Sequence, residues 1–562
     1  MSERPTRPTR PNRSKLAKRK PQKNQSRTLM LTLGGAALLV VGGTLAFFLL
    51  QGEEKAGPLP LGSKVVPRDV MLSVTLNTGG NQWQQIAQFG TPDTQKTLQD
   101  RLQQLETDVL KPNGLSYKAN IQPWAANQLT MALLPPTVES VEEQSQQATI
   151  WIVPIRDQGQ FEKVFQNKLT AANSTDTRTY KETKVYEFDA EDGKRYGFAT
   201  LDNRWLVFTS ADAPINAVID THKGKPALAD VPRYQEALKE IENDAAIAKV
   251  YINVPIAAAQ MSRVPLSPAS QERIQSVQGI GSTLMVVKDG IQFKAISWLK
   301  PDAKDTLETK NEAKDIAKHL PDDTLLMTSG GNFQQVWRDY AQGNLAKLVF
   351  PLNPKAWNDD LSKRTGIDFN NQFVSWMDGE FSTAIIPAQT KDKKGVGIVF
   401  LAKAKDRTTA NQAFRALDEA MRDRFNFLVT ESKVGKKTVT NWKVPPGLPI
   451  ASHGWLDNDV AFFTLGAPIA NRLLPAPKTN LTQAASFKGA TTSDLDPNNG
   501  NFYIDMPRML GLLDTNPLLP KLTPDTTKFM QGIETIGVTT AINNEWSTRY
   551  DIHVKLKKKK ES

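Results

Sequence analysis

The sequence contains no cysteine and only four histidines, at 222, 319, 453 and 553. The first absence excludes disulfides, thiolate metal sites, iron–sulfur clusters, a cysteine nucleophile and a lipid-modified N-terminal cysteine. The second leaves little for histidine-based metal or acid–base chemistry. Also missing are the patterns G-x-S-x-G, H-E-x-x-H and G-x-x-x-x-G-K-[ST]. Gly435-Lys436-Lys437-Thr438 has the tail of a phosphate loop, but Thr430 stands where its first glycine belongs and Lys437 displaces the magnesium-holding hydroxyl. It reads as a hairpin turn. Ser297-Trp298-Leu299-Lys300 matches S-x-x-K, yet it falls on a predicted strand, where residues three apart face opposite sides. No catalytic residue and no cofactor is predicted.

Charge of one sign is also scarce once the tails are set aside. The chain of 562 residues carries a formal +11. Residues 1–28 hold ten Lys/Arg against Glu3, and residues 551–562 hold five Lys against two acids, so residues 51–550 are close to neutral. A nucleic-acid-binding face needs its basic charge on the folded surface, and nucleic acid is therefore disfavoured as a partner.

Long hydrophobic runs are limited to one. Leu29–Leu50 is uncharged throughout, and as a helix it would be about 33 Å long, enough for a hydrocarbon core. Ten basic residues precede it and Glu53-Glu54 follow, which predicts a cytoplasmic N-terminus and an exported remainder. The run is too long for a cleaved signal peptide and lacks an A-x-A site, so an uncleaved signal anchor is expected. In the tail, Arg4, Arg7, Arg10 and Arg13 recur with the three-residue period of polyproline II and form one cationic ridge. Lys18, Arg19, Lys20 and Lys23 lie nearer the bilayer, where anionic head groups attract such residues by about 1 kcal/mol each. A disordered topology signal with no further role is the plainer reading of the same tail.

What is present in quantity is repetition. Val66-Pro67-Arg68-Asp69 is echoed by Leu320-Pro321-Asp322-Asp323, and Thr78-Gly79-Gly80-Asn81 by Ser329-Gly330-Gly331-Asn332. Trp124 matches Trp376, Leu201-Asp202-Asn203 matches Leu456-Asp457-Asn458, and Ala213-Pro214-Ile215 matches Ala467-Pro468-Ile469. Tyr251-Ile252-Asn253-Val254-Pro255 returns as Tyr503-Ile504-Asp505-Met506-Pro507, and Ile280-Gly281 as Ile536-Gly537. The order is kept and the offset stays between 251 and 256. The predicted organisation is a basic tail (1–28), an anchor (29–50), a Pro/Gly-containing linker (51–64), a first unit (65–302), a charged connection (303–315) expected to be helical, a second unit (316–557) and a Lys-rich tail (558–562).

Each unit mixes short strand patterns with amphipathic helix patterns. Strands are predicted at 71–76, 128–134, 149–155, 204–210, 247–254 and 291–299. In the second unit they fall at 324–328, 381–386, 396–402, 460–464, 501–506 and 546–556. Helical stripes run through Leu98, Leu102, Leu105 and Val109, and through Phe414, Leu417, Met421 and Phe425. The fold class expected is α+β, two tandem homologous units with largely antiparallel sheets and amphipathic helices. Trp124 and Trp376 read as buried anchors. Asp202-Asn203 and Asp457-Asn458 read as hairpin turns.

One metal candidate stands out. Asp494, Asp496, Asn498 and Asp505 put oxygens at the first, third, fifth and twelfth positions of a calcium-type loop. Its sixth position is Asn499 rather than glycine, its last is not glutamate, and the first unit has no equivalent. An Asx-rich turn opening a strand is the stronger reading.

The segment Thr365-Gly366-Ile367-Asp368-Phe369, running on to Trp376 and Gly379-Glu380 before an apolar strand, resembles an uncharacterised family of cyanobacterial membrane-anchored proteins known only as a domain of unknown function. The first unit departs from it with Asn113-Gly114-Leu115-Ser116 before Trp124. The resemblance implies a plasma (inner) or thylakoid membrane and assigns no catalytic residues. The expected function is a non-catalytic binding or scaffold protein with protein partners in the periplasm or lumen. Alternatives are a carrier of lipid or another apolar ligand, and a hydrolase with an unrecognised site.

Overall fold

In the computed structural model the described residues are 59–558, apart from 79–84, 87, 93–94, 97–115, 136–148, 172–175, 190–194, 210–211, 262–267, 305, 309, 342–353, 389–394, 445–446 and 516–521. The predicted anchor Leu29–Leu50, the basic residues Arg4 to Lys23 before it and the stripe Leu98–Val109 lie outside them. Among the described residues no helix is long and apolar enough to cross a membrane.

The twenty strands are β1 (Leu72–Asn77), β2 (Gln128–Leu133), β3 (Thr149–Pro154), β4 (Asp176–Tyr180), β5 (Thr183–Asp189), β6 (Arg195–Leu201), β7 (Trp205–Thr209), β8 (Ala248–Ile252), β9 (Val277–Val287) and β10 (Gly290–Leu299), then β11 (Leu326–Gly330), β12 (Phe381–Pro387), β13 (Val396–Lys403), β14 (Leu428–Val434), β15 (Lys437–Val444), β16 (Leu448–Trp455), β17 (Val460–Gly466), β18 (Gly500–Asp505), β19 (Ile533–Asn544) and β20 (Ser547–Leu556). All belong to one sheet. Its first half runs β4-β5-β6-β7-β3-β2-β1-β8-β9-β10. β10 then pairs with β20, and the second half continues β20-β19-β18-β11-β12-β13-β17-β16-β15-β14. Every neighbour is antiparallel, and the order leading away from the β10–β20 seam is the same on both sides. The fold is α+β and mostly antiparallel. Pairing at the seam removes two inner edges that separate sheets would have left open.

Period-two patterning explains the layers. In β3, Ile150 and Ile152 are fully buried on one face, in a core shared with Ile215, Ile219, Tyr234 and Trp298. Trp151 and Val153 face the other side and join a core that reaches across the seam through Phe293, Val554, Ile504 and Met509. The predicted stripe at Phe414 lies on the helix Arg407–Phe425, capped by Asp406, whose side chain accepts from Thr408 and Thr409 N–H groups, and ended by Asn426 in the left-handed region. Trp124 and Trp376 are both buried at 2% exposure. Asp202 and Asn203, with φ of 49° and 52°, turn β6 into β7, and Gly435 turns β14 into β15.

The connection at 303–315 is not helical. Leu307 N–H donates to the Glu545 carbonyl, and Asn311 exchanges two hydrogen bonds with the Ile542 backbone. One backbone N–H and one side chain of the connection are thus fastened to the end of β19 and the turn that follows it. Only Ile316–His319 forms a short 3-10 turn.

Candidate functional site

The repeat mark Pro67-Arg68 is held in place by its backbone: Leu228 N–H donates to Val66 and Arg68 N–H to Pro226. Across from it, Asn253 ends β8 and caps the helix Val254–Met261, its side-chain oxygen accepting from Ile256 N–H at 3.4 Å. Gln278 opens β9, and Lys300 follows β10, tied back through its own N–H to Ser276. These four residues and Asp302 give the polar lining of a cleft of about 560 Å³. Pro232, Pro255, Ile256 and Pro301 supply its apolar lining.

Tyr251, on β8, is at 1% exposure and does not line the cleft. Its ring packs on Tyr234 edge-on at 5.3 Å and beside Trp298 at 5.9 Å, while Trp298 donates its indole N–H to the Pro232 carbonyl. The Tyr251 hydroxyl is buried and has no hydrogen-bond partner. Burial pushes its pKa up, while nearby Gln278 and the Arg68 charge act in the opposite direction. Gln278 thus lies close to the hydroxyl without adopting hydrogen-bonding geometry. Among the described residues neither Arg68 nor Lys300 has a carboxylate partner in an ion pair.

The matching position in the second half has other chemistry. Registers agree: Tyr251 pairs with Gly281 and Tyr503 with Gly537, and Arg68 N–H bonds Pro226 as Asp322 N–H bonds Thr479. Asp322 stands for Arg68, Asp505 for Asn253 and Glu534 for Gln278. The Tyr503 hydroxyl donates to Ser486 Oγ at 2.9 Å and so is satisfied internally.

The calcium-type residues are placed on separate tasks. Asp494 pairs with Lys294 at 2.8 Å and Arg549 at 3.5 Å, which hold its carboxyl down at about 2. Asn498 accepts from Gly500 N–H as an Asx turn, Asp496 precedes a cis proline, and Asp505 caps the helix Met506–Thr515 through Arg508 N–H. Among the described residues no group of three or more His, Cys, Asp or Glu could hold a metal. Asp551, buried beside Asp494, is raised by burial first and then by that carboxylate.

Each histidine sits next to an aspartate. His222 lies 3.1 Å from Asp202, His319 3.5 Å from Asp457, His553 3.1 Å from Asp289 and His453 2.8 Å from Asp418. The last pair is the most enclosed. Trp442 donates to the same Asp418 oxygen, and Phe414 stacks on the imidazole at 4.5 Å. His319 is lowered by burial.

The profile of one family, described as a protein of unknown function (DUF3352), matches residues 32–556. The chain belongs to this family. No curated protein matches it. Among solved structures, crystal forms I, III and IV of TP0453 align over 44%, 44% and 42% of this chain and 81% of that one, with 9%, 8% and 8% identity and TM-scores of 0.24, 0.23 and 0.23. At those scores the overlap carries no argument about fold or role.

Sequence reading met Arg68, Tyr251 and Asn253 only as repeat marks, and Lys300 only within S-x-x-K. Gln278 gave no signal. The available signal was the mismatch between repeats, where Arg68 and Asn253 face two aspartates across otherwise matching segments.

Proposed function

We propose that this DUF3352 protein is a single-pass, membrane-anchored, extracytoplasmic binding or scaffold protein without catalysis of its own, in the cell envelope or thylakoid of a cyanobacterium. Leu29–Leu50 is its anchor, and residues 1–28 meet anionic head groups on the cytoplasmic side. Residues 65–302 and 316–557 are two homologous units outside it. The observation that carries this reading is the unbroken sheet of twenty strands with one order repeated from its seam to both open edges. At the usual strand spacing its contour is roughly 90 Å. Such a sheet holds two like surfaces at a set separation, so linked partners gain effective concentration without new contacts.

The seam supports duplication. Lys294 and Asp551 each take the fifth place in a ten-residue strand, and they face each other in register. A local two-fold axis passes between them, as at the isologous contact of a homodimer. In a homodimer that position would oppose like residues; one fused chain can place opposite charges there.

The test is a pull-down of the tagged full-length chain, gently solubilised from native membranes, beside a copy lacking 65–557. Proteins lost with the deletion support the scaffold. A stoichiometric lipid with no protein partner replaces it with the carrier reading. That second reading draws on the apolar face running from Phe502 and Ile385 through Val396 to Ile398 and Leu465, paired neighbours exposed at 46% and 49%.

A further inference from the structure

We propose that the open edge strand β14 pairs antiparallel with β14 of a second copy of this chain, continuing the sheet across a two-fold axis at Ser432. This goes beyond the scaffold reading and does not depend on it.

The first observation is an edge free to pair. Among the described strands β14 pairs with β15 alone, from Leu428 opposite Lys443 to Val434 opposite Lys437, and no bulge interrupts the register. A two-residue turn with Gly435 at φ 60° joins the strands, so Val434 and Lys437 close the hairpin as a hydrogen-bonded pair. Alternation then aims the backbone groups of Thr430 and Ser432 at β15, and those of Val429, Glu431 and Lys433 outward. The Thr430 carbonyl, which accepts from Asn441 Nδ2 on β15 at 3.5 Å, agrees with that direction. The strand also lacks proline, one of the usual devices that blunt an edge.

The second is the charge. Glu431, Ser432 and Lys433 are exposed, and among the described residues neither Glu431 nor Lys433 has an ion-pair partner. An edge lysine by itself deters pairing. Here the register decides its effect. With Glu431 on the two-fold axis, glutamate opposes glutamate; with Lys433 on it, lysine opposes lysine. With Ser432 on the axis, Glu431 faces the second copy's Lys433 and Lys433 faces its Glu431. Both are outward positions, so each pair exchanges its N–H···O bonds as well as its charges.

The third is the contrast with β4, which holds the matching place at the far end of the sheet. Lys181 and Glu182, at φ 46° and 66°, form its hairpin turn, which by the same alternation leaves the uncharged Thr177 and Thr179 outward. Its Arg178 is taken up by Glu187 on β5. Centred on Arg178, two copies of β4 would set arginine against arginine. One edge is self-complementary and the other is not, so the sheet extends once and closes as a two-fold dimer instead of growing into a fibre.

The chain has no cysteine, so Ser432→Cys in the full-length protein, in neutral detergent under mild oxidation, reports the axis directly. Residues on the axis form a non-hydrogen-bonded pair with Cα atoms about 4.5 Å apart, within disulfide range. A cross-linked dimer is expected there, and none for Thr177→Cys on β4. Sedimentation of the unoxidised protein should show a monomer–dimer equilibrium. Glu431→Lys or Lys433→Glu each turns two attractive pairs into two repulsive ones and should weaken the dimer by about tenfold or more. The two changes together restore opposite charges and should restore the dimer. These side chains are exposed, so the fold is kept. A monomer at every concentration tested overturns the proposal. So does a dimer that the single reversals leave untouched, a double variant no tighter than the singles, or growth into larger oligomers, which would pair β14 with β4.

Discussion

The two tyrosines at matching register offer a direct test of the local physics. Tyr251 and Tyr503 are both buried, at 1% and 0% exposure, and both have their pKa raised by burial. They differ in one respect: the Tyr503 hydroxyl donates to Ser486, and the Tyr251 hydroxyl has no partner. Replacing Tyr503 by phenylalanine removes a hydrogen bond worth about 0.5–1.5 kcal/mol and leaves the Ser486 hydroxyl short of a partner, so a loss of about 1–2 kcal/mol is expected. Replacing Tyr251 by phenylalanine removes an unsatisfied oxygen and keeps the ring on Tyr234 and Trp298. It should be neutral or stabilising, by up to about 1 kcal/mol. The two variants thus separate by about 1–3 kcal/mol, with opposite signs, although the chemical change is the same. The assay is urea unfolding of the full-length chain in neutral detergent and phosphate-free buffer, followed by tryptophan fluorescence, with the midpoint shift read at constant slope. A loss for Tyr251→Phe equal to that for Tyr503→Phe would refute the reasoning, because it would mean that the Tyr251 hydroxyl already has a partner inside the protein.

Two further outcomes follow from single sites. Asp220 is held at about 2, below its ordinary 3.8, first by Lys181, then by Lys225 and Tyr180. A depressed carboxyl stabilises the fold above its unfolded pKa and loses that contribution as pH falls through the folded value. The stability advantage of wild type over Asp220→Asn, read by thermal unfolding, should therefore be full at pH 6 and shrink between about pH 4 and pH 2; a gap that widens on acidification would contradict it. At Gly537 a Cβ would lie 2.0 Å from the Ala490 carbonyl oxygen. Gly537→Ala should push the helix Ala485–Ala490 off β19 and cost about 3 kcal/mol, at the upper end of overpacking effects, in the same unfolding assay.

The twelve strands that alternation or apolar runs announce all form, because at those places local propensity and burial agree. The strands that sequence reading passed over have specific reasons. β4, Asp176–Tyr180, is an edge strand facing mostly solvent and carries no apolar alternation. β9 and β19 contain Gly281 and Gly537, which read as breaks in a linear pattern. In three dimensions Gly537 admits the Ala490 backbone, which comes too close for any side chain, and Gly281 lies against the tip of Leu238. The connection at 303–315 went the other way. Its charges suit a helix, but Ile542 of β19 takes both hydrogen bonds of the Asn311 side chain and the Glu545 carbonyl takes the Leu307 N–H, and those partners are visible only once the sheet is assembled.

The candidate cleft divides along the same line. Arg68, Tyr251 and Asn253 were marked by repetition, since short motifs kept in order survive in a linear string. That they meet Gln278 and Lys300 could not be read there, because the cleft joins segments far apart in the chain and the pairings β1–β8 and β8–β9 decide which of them approach. The sequence by itself determined the alternation of buried faces, the turns, the neutral core between basic tails and the order of repeated marks, all of them properties of neighbouring residues. Only the tertiary structure decided that the halves share one sheet, that Lys294 meets Asp551 at the seam, and that one of two matching tyrosines is left without a partner. Those outcomes depend on which backbone edges pair and which side chains are then shut away from water. No local stretch of sequence contains both sides of such a contact.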